Sequence, residues 1–152
     1  MAEFTYNEVQ AIPLNTPAIL LDSIKCNKRY VVHNNERGVV ILRGAVNNPC
    51  AGFARYKVTA NCNIAIPTGG SVGPIAIALT ENGEPILTSR AIVTPAAVDQ
   101  YFNVTSTAII TVPAGCCVPI SVRAVSASND PTVTPAPVIN MQNLNLDITR
   151  IA

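Results

Sequence analysis

Ala54-Arg55-Tyr56-Lys57-Val58-Thr59-Ala60-Asn61-Cys62-Asn63-Ile64-Ala65-Ile66 alternates in character almost residue by residue. Tyr56, Val58, Ala60, Cys62, Ile64 and Ile66 share one side of an extended chain, and Arg55, Lys57, Thr59, Asn61 and Asn63 the other. A period of two marks a half-buried strand. Pro67-Thr68-Gly69-Gly70 ends it, and Ile75, Ile77 and Leu79 resume the apolar face as far as Asn82-Gly83. Both central residues of a type I′ turn need positive φ, which Asn and Gly tolerate, so this pair predicts a tight hairpin. The return strand is expected from Glu84 to about Val93.

The same reading extends in both directions. Ala108, Ile110 and Val112 alternate with Thr107, Ile109 and Thr111 before Pro113-Ala114-Gly115 turns the chain into Val118, Ile120, Val122 and Ala124. Leu144, Leu146 and Ile148 are the inward side of a last strand whose outward side is Asn143, Asn145, Asp147 and Thr149. Val39-Val40-Ile41-Leu42 is an unbroken apolar run, the signature of a strand buried on both faces. Shorter pieces near Gln10–Leu14, Ala18–Leu21 and Tyr30–Val32 complete about ten strands. With 12 prolines and no helical spacing sustained over three turns, essentially no α-helix is expected. Many short strands between turn signals imply an all-β sandwich or jelly roll. The Ser-, Asn-, Pro- and Thr-rich run from Ser126 to Pro137 is expected to project as a loop.

At 152 residues the chain fits one domain. Charged residues are only 12% of it, against about 25% in an ordinary soluble domain. Either the surface is coated in Thr, Asn and Ser, or much of it is hidden against copies of the chain or a larger body. Charge depletion at the centre of buried interfaces favours the second. The net charge is +1 with basic residues scattered along the sequence, so neither nucleic acid nor membrane is an expected partner. The start of the chain lacks a basic segment followed by an apolar run, which argues against a secretory signal and for synthesis in a cytoplasm. There the five cysteines are expected reduced; Cys62 falls on a buried parity, and Cys26 and Cys50 are the pair best placed to meet if a disulfide forms.

Little here performs chemistry. His33 is the only histidine and reads as a loop residue beside Asn34 and Asn35, which removes most triads and every multi-histidine metal site. Adjacent Cys116 and Cys117 have no CxxC partner, so zinc is not expected. Absence of Trp and a 5% aromatic content leave no platform for a sugar cleft. Asn143, Asn145 and Asp147 share a strand face on which a threefold assembly would bring oxygens together for a hard cation, though a hydrated strand face is the simpler reading. No catalytic residue, metal ligand or cofactor is assigned, and the chain is expected not to be an enzyme.

From about Ala54 onward the chain resembles the superfamily of trimeric, ten-stranded jelly rolls formed by tumour necrosis factors and complement globular heads. The positions matching that family's Gly-x-Tyr-x-aromatic strand are Ala54, Tyr56 and Val58, of which only Tyr56 is kept. The order of the later segments also fits: an apolar strand into Asn82-Gly83-Glu84-Pro85, Ile109-Ile110-Thr111-Val112 into Ala114-Gly115, then a strand, a loop and a closing apolar strand. Segments such as Asn63-Ile64-Ala65-Ile66-Pro67-Thr68-Gly69-Gly70, Ile92-Val93-Thr94-Pro95-Ala96-Ala97-Val98 and Tyr101-Phe102-Asn103-Val104 are similar to stand-alone proteins of this type from tailed phages of gut Firmicutes, which look like capsid decoration or head-fibre proteins.

That resemblance implies a homotrimer bound to the major capsid protein on the outside of a virion. The alternative is a receptor- or glycan-binding head of a tail fibre or a bacterial collagen-like surface filament, with residues 126–137 in contact. Residues 1–9 are expected as an N-terminal arm, with Phe4, Tyr6 and Val9 docking on the capsid, and residues 10–152 as the jelly-roll domain. Phe53, Tyr101, Phe102 and Ile109, apolar groups off the main core face, are the expected trimer contacts.

Overall fold

The computed structural model describes residues 1–24, 29–34, 36–48 and 50–152. The pairing considered between Cys26 and Cys50 therefore falls outside the described residues. Two antiparallel sheets face each other. The first has the order β10 (Phe102–Pro113), β6 (Phe53–Ala65), β12 (Val138–Arg150), β1 (Ala2–Tyr6) and β3 (Leu21–Ile24), with β2 (Gln10–Pro13) also on β12. The second has the order β4 (Val31–His33), β5 (Val40–Arg43), β11 (Cys117–Val125), β7 (Ile75–Glu81) and β8 (Glu84–Pro85), with β9 (Ala91–Val93) also on β7. This is the all-β jelly-roll sandwich expected, and the described residues contain no α-helix.

β6 and β10 set the frame. They pair without interruption from Phe102 opposite Ile64 to Pro113 opposite Phe53. Both alternate as the sequence requires, so Tyr56, Val58, Ala60, Cys62 and Ile64 meet Val104, Ile110 and Val112 in one core. Burial pushes the Cys62 thiol up to about 12, which leaves it protonated and inert. Tyr56 is fully buried, and its hydroxyl donates to the carbonyl oxygen of Arg43 at 2.6 Å, joining the two sheets.

β12 carries a feature that alternation alone hides. Its buried residues are Ile139 and Met141, then Leu144, Leu146 and Ile148, so the parity changes in mid-strand. A bulge between Gln142 and Asn145 accomplishes the change, with Asn143 at φ 54°. One extra residue on a bulged strand resets which side faces inward, and Asn is among the few non-glycine residues at ease there.

Several expectations need correction. The N-terminal arm is a strand of the sandwich: β1 pairs with β12 from Ala2–Ile148 to Tyr6–Leu144, and with β3 on its other side. Ala2 and Phe4 alternate inward with Glu3 and Thr5 outward, and the Phe4 ring, 2% exposed, packs 4.7 Å from the His33 ring. Phe4 thus has no surface with which to dock; Tyr6 is half-buried against the core, and Val9 alone of the three is exposed. The run Val39–Leu42 is buried on one face only, since Val40 and Leu42 point inward while Val39 and Ile41 are exposed on the outer side of the second sheet. The Asn82-Gly83 hairpin forms with φ of 52° and 82°, but its return is broken: after β8 a single 3-10 turn, Leu87–Ser89, precedes β9.

Replacing Phe4 by Ala should lower stability by about 3–5 kcal/mol, the cost of emptying a buried aromatic site. Urea denaturation reads this directly. A loss below about 1 kcal/mol, the range of surface substitutions, would mean that the first strand is frayed.

Candidate functional site

Two surfaces on this frame lack the character of ordinary solvent-facing protein. The first is the outer face of β10, β6, β12 and β1, built from the opposite parity to the core. Its rows are side-chain amides and hydroxyls bonded to each other across strands. Asn103 donates to Asn63 at 3.1 Å, Asn63 to Asn143 at 3.1 Å, and Asn143 to Asn7 at 2.7 Å. In the neighbouring rows Thr105 donates to Asn61 at 3.0 Å, Asn145 donates to Glu3 at 2.7 Å, and the Thr59 and Thr107 hydroxyls lie 3.2 Å apart. Along the asparagine row Asn63 and Asn143 each both give and accept, so the bonds polarise one another and hold fixed rotamers. Groups satisfied in this way lose little when water is removed above them.

Of the expected trimer contacts, Ile109 stands on this outward face opposite Lys57 and is 62% exposed. Phe53 and Phe102, 40% and 38% exposed, lie at opposite ends of the β6–β10 pair, and Tyr101 is half-buried just before β10. Eleven register steps separate the two phenylalanines, roughly 37 Å at about 3.4 Å per residue. The four therefore follow the length of one strand pair and do not form one patch. The amide rows are not among the sequence expectations, although the Asn and Thr residues on the outward parity of β6 and β10 are their signal.

The second surface is a cleft of about 650 Å³ at the end of the sandwich where β6 finishes, between residues 66–74 and residues 126–138. Ile66, Val72, Val133, Pro135 and Ala136 are among its walls, and no charged or aromatic side chain lines it. The loop from Ser126 to Pro137 contains no strand, as expected, but it is ordered by its own bonds: Ser128 N–H donates to Ser126 Oγ, and Thr132 donates twice to Asp130. Those two bonds hold the Asp130 carboxyl below its usual range. Ala127, at the start of the loop, covers Ala76 and Ala78 on the outer side of β7.

His33 is not a loop residue. It lies on β4 with its Nδ1 2.5 Å from Asp22 Oδ1 on β3 and its Nε2 2.8 Å from the Arg37 carbonyl oxygen. The ring is 2% exposed and ties the edges of the two sheets together. For the cation site considered on β12, Asn143 is displaced by the bulge and bonded to its neighbours. Among the described residues no group of three or more His, Cys, Asp or Glu is placed to hold a metal ion. What β12 does place is a like-charge pair, Asp147 directly opposite Glu3 on β1.

Partial burial, and secondarily the Glu3 charge, raise the Asp147 carboxyl above its usual range. The folded state then binds this proton more tightly than the unfolded chain, so stability falls as pH rises from the ordinary Asp range through the raised value. Asp147→Asn should therefore raise the melting temperature at neutral pH. The gain should vanish below the ordinary carboxylate range; an equal gain at pH 3 and pH 7 would contradict the electrostatic cause.

Neither a protein-family model nor a curated protein matches this chain. Solved structures do. The structure of Eiger TNF from S. frugiperda is similar with a TM-score of 0.65 and 13% identity, covering 99% of this chain and 91% of that one. The globular domain of the zebrafish complement 1qA protein is similar with a TM-score of 0.51 and 13% identity, covering 95% and 94%. At that identity the likeness is one of fold: the chain is a jelly roll of the kind found in TNF and complement 1q globular domains.

Proposed function

We propose that the protein is a non-catalytic structural component of a tailed-phage virion, a homotrimer that decorates the capsid exterior through contact with the major capsid protein. The observation that carries the assembly is the outer face of β10, β6 and β12, where amide and hydroxyl rows satisfy each other and Ile109 stands exposed among them. The amide and hydroxyl rows are inexpensive to desolvate, because few of their polar groups lose a partner when a sister copy covers them, so contact is expected to centre on these rows with the charges of Lys57, Glu3 and Asp147 at its rim. The virion setting rests on the resemblance of the segments around Ile64, Val93 and Phe102 to phage decoration proteins.

A protein that binds only the assembled shell stabilises it in proportion to the tightness of binding. Three identical contacts per trimer raise the effective affinity without any one being strong. With β1 built into the sandwich, capsid contact falls to the folded surface and not to a separate arm.

A receptor- or ligand-binding head is the second reading, and the uncharged cleft between residues 66–74 and 126–138 favours it. The cleft walls carry neither a ring to stack a sugar nor a carboxylate to grip its hydroxyls, which counts against glycans as the ligand.

Mass spectrometry of purified particles tests the virion reading. The expected result is this chain at a fixed ratio to the shell protein; its absence from particles of a phage that encodes it would overturn the assignment. Binding of the purified protein to host cells, lost on shortening residues 129–134, would favour the second reading instead.

A further inference from the structure

Among the outward residues of β10, β6, β12 and β1 only four carry charge, and the fold sorts them by sign. Both cations, Arg55 and Lys57, stand on β6, and both anions, Asp147 and Glu3, stand on β12 and β1. Register fixes their spacing. Glu3, Asp147, Thr59 and Thr107 form one cross-strand row, and Thr149, Lys57 and Ile109 form the next. Lys57 and the exposed Ile109 therefore lie toward the β10 edge of the sheet, and the two carboxylates lie toward the other edge.

One copy does not satisfy these charges by itself. Arg55 stacks 4.4 Å over the Phe53 ring, but Lys57 has no hydrogen bond or ion pair among the described residues. Asp147 is a diagonal neighbour of Lys57 across the β6–β12 pair, a separation of about 7–8 Å in ordinary sheet geometry. The two do not join. Besides partial burial, what acts on the Asp147 carboxyl is Glu3, which repels it. Asn145 donates to one Glu3 oxygen at 2.7 Å and so holds that carboxylate in place, its second oxygen unbonded among the described residues.

We infer that Lys57 of one copy seats on the Glu3–Asp147 pair of the next, so that the acidic side of the outer face is the acceptor for a second copy of this chain. The inference rests on the homotrimer proposed above and adds what orients its contacts. A face with cations on one side and anions on the other meets itself with opposite charges together when joined head to tail, and head-to-tail contacts close into rings. Joining like sides would set equal charges against each other, which selects against that register. One ammonium shared by two carboxylates also relieves the repulsion inside each copy. Asp147→Asn leaves Glu3 to hold it, so Lys57 is the member of the set whose charge is indispensable.

Sedimentation equilibrium of the full chain at about 50 mM and about 500 mM NaCl tests the pairing. Wild type is compared with Lys57→Glu and with a chain carrying both Glu3→Lys and Asp147→Asn. Each variant alone should weaken the monomer–trimer equilibrium at least about tenfold at low salt, because three contacts per ring change together, and the difference should shrink at high salt. An equimolar mixture of the two variants should regain trimers, since each offers the charge that its neighbour has lost. Mixing cannot rescue an ion pair made within one copy. Arg37→Glu, an equal charge change on an exposed residue before β5 of the second sheet, should stay within about twofold. Trimers of wild-type strength in both variants would give the acidic pair to another cationic partner. That result, an equal loss in Arg37→Glu, or no recovery on mixing overturns the proposal while leaving the wild-type trimer in place. A wild-type chain found only as a 16.0 kDa species removes the trimer and the pairing together.

Discussion

The inward turn of every apolar side chain in β12 depends on one extra residue. β12 pairs with β6 on one side and with β1 and β2 on the other, so its register is shared by most of the first sheet. Without the bulge at Asn143, either Ile139 and Met141 or Leu144, Leu146 and Ile148 would face outward, since a one-residue slip exchanges the two faces of a strand. The same bulge brings the Asn143 amide to bond both Asn63 and Asn7. Core packing and the outer amide rows therefore share a single cause.

That shared cause explains why the first sheet has two finished faces. Inside lies the aliphatic core closed by Tyr56 and the Phe4–His33 contact. Outside lie rows of amides and hydroxyls bonded to one another across strands, flanked by Lys57 and the Glu3–Asp147 pair. Chemistry is scarce on such a surface: the single histidine is taken up by Asp22 and the Arg37 carbonyl, and the Cys62 thiol is sealed in the core. Recognition by shape and by apolar contact is what the molecule has to offer.

Much of the architecture is legible in the sequence because alternation and turn chemistry are local. β6, β10 and β11 follow from period two, and Asn82-Gly83 announces its own hairpin. The first strand is not legible, because five residues near a terminus alternate too briefly to announce themselves, and their partner β12 is more than a hundred residues away. Val39–Leu42 misleads for a related reason, since an apolar run does not say which of its faces a second layer will cover. His33 cannot be placed from sequence because its partners come from β3 and a turn that only the fold brings together.

Assembly of sister copies through the amide- and hydroxyl-rich outer face of the first sheet is the centre of the proposed function. Sedimentation equilibrium of the purified chain at micromolar concentration measures this most directly. A species of three times the 16.0 kDa protomer mass is the predicted result. A single 16.0 kDa species across that concentration range would contradict the account.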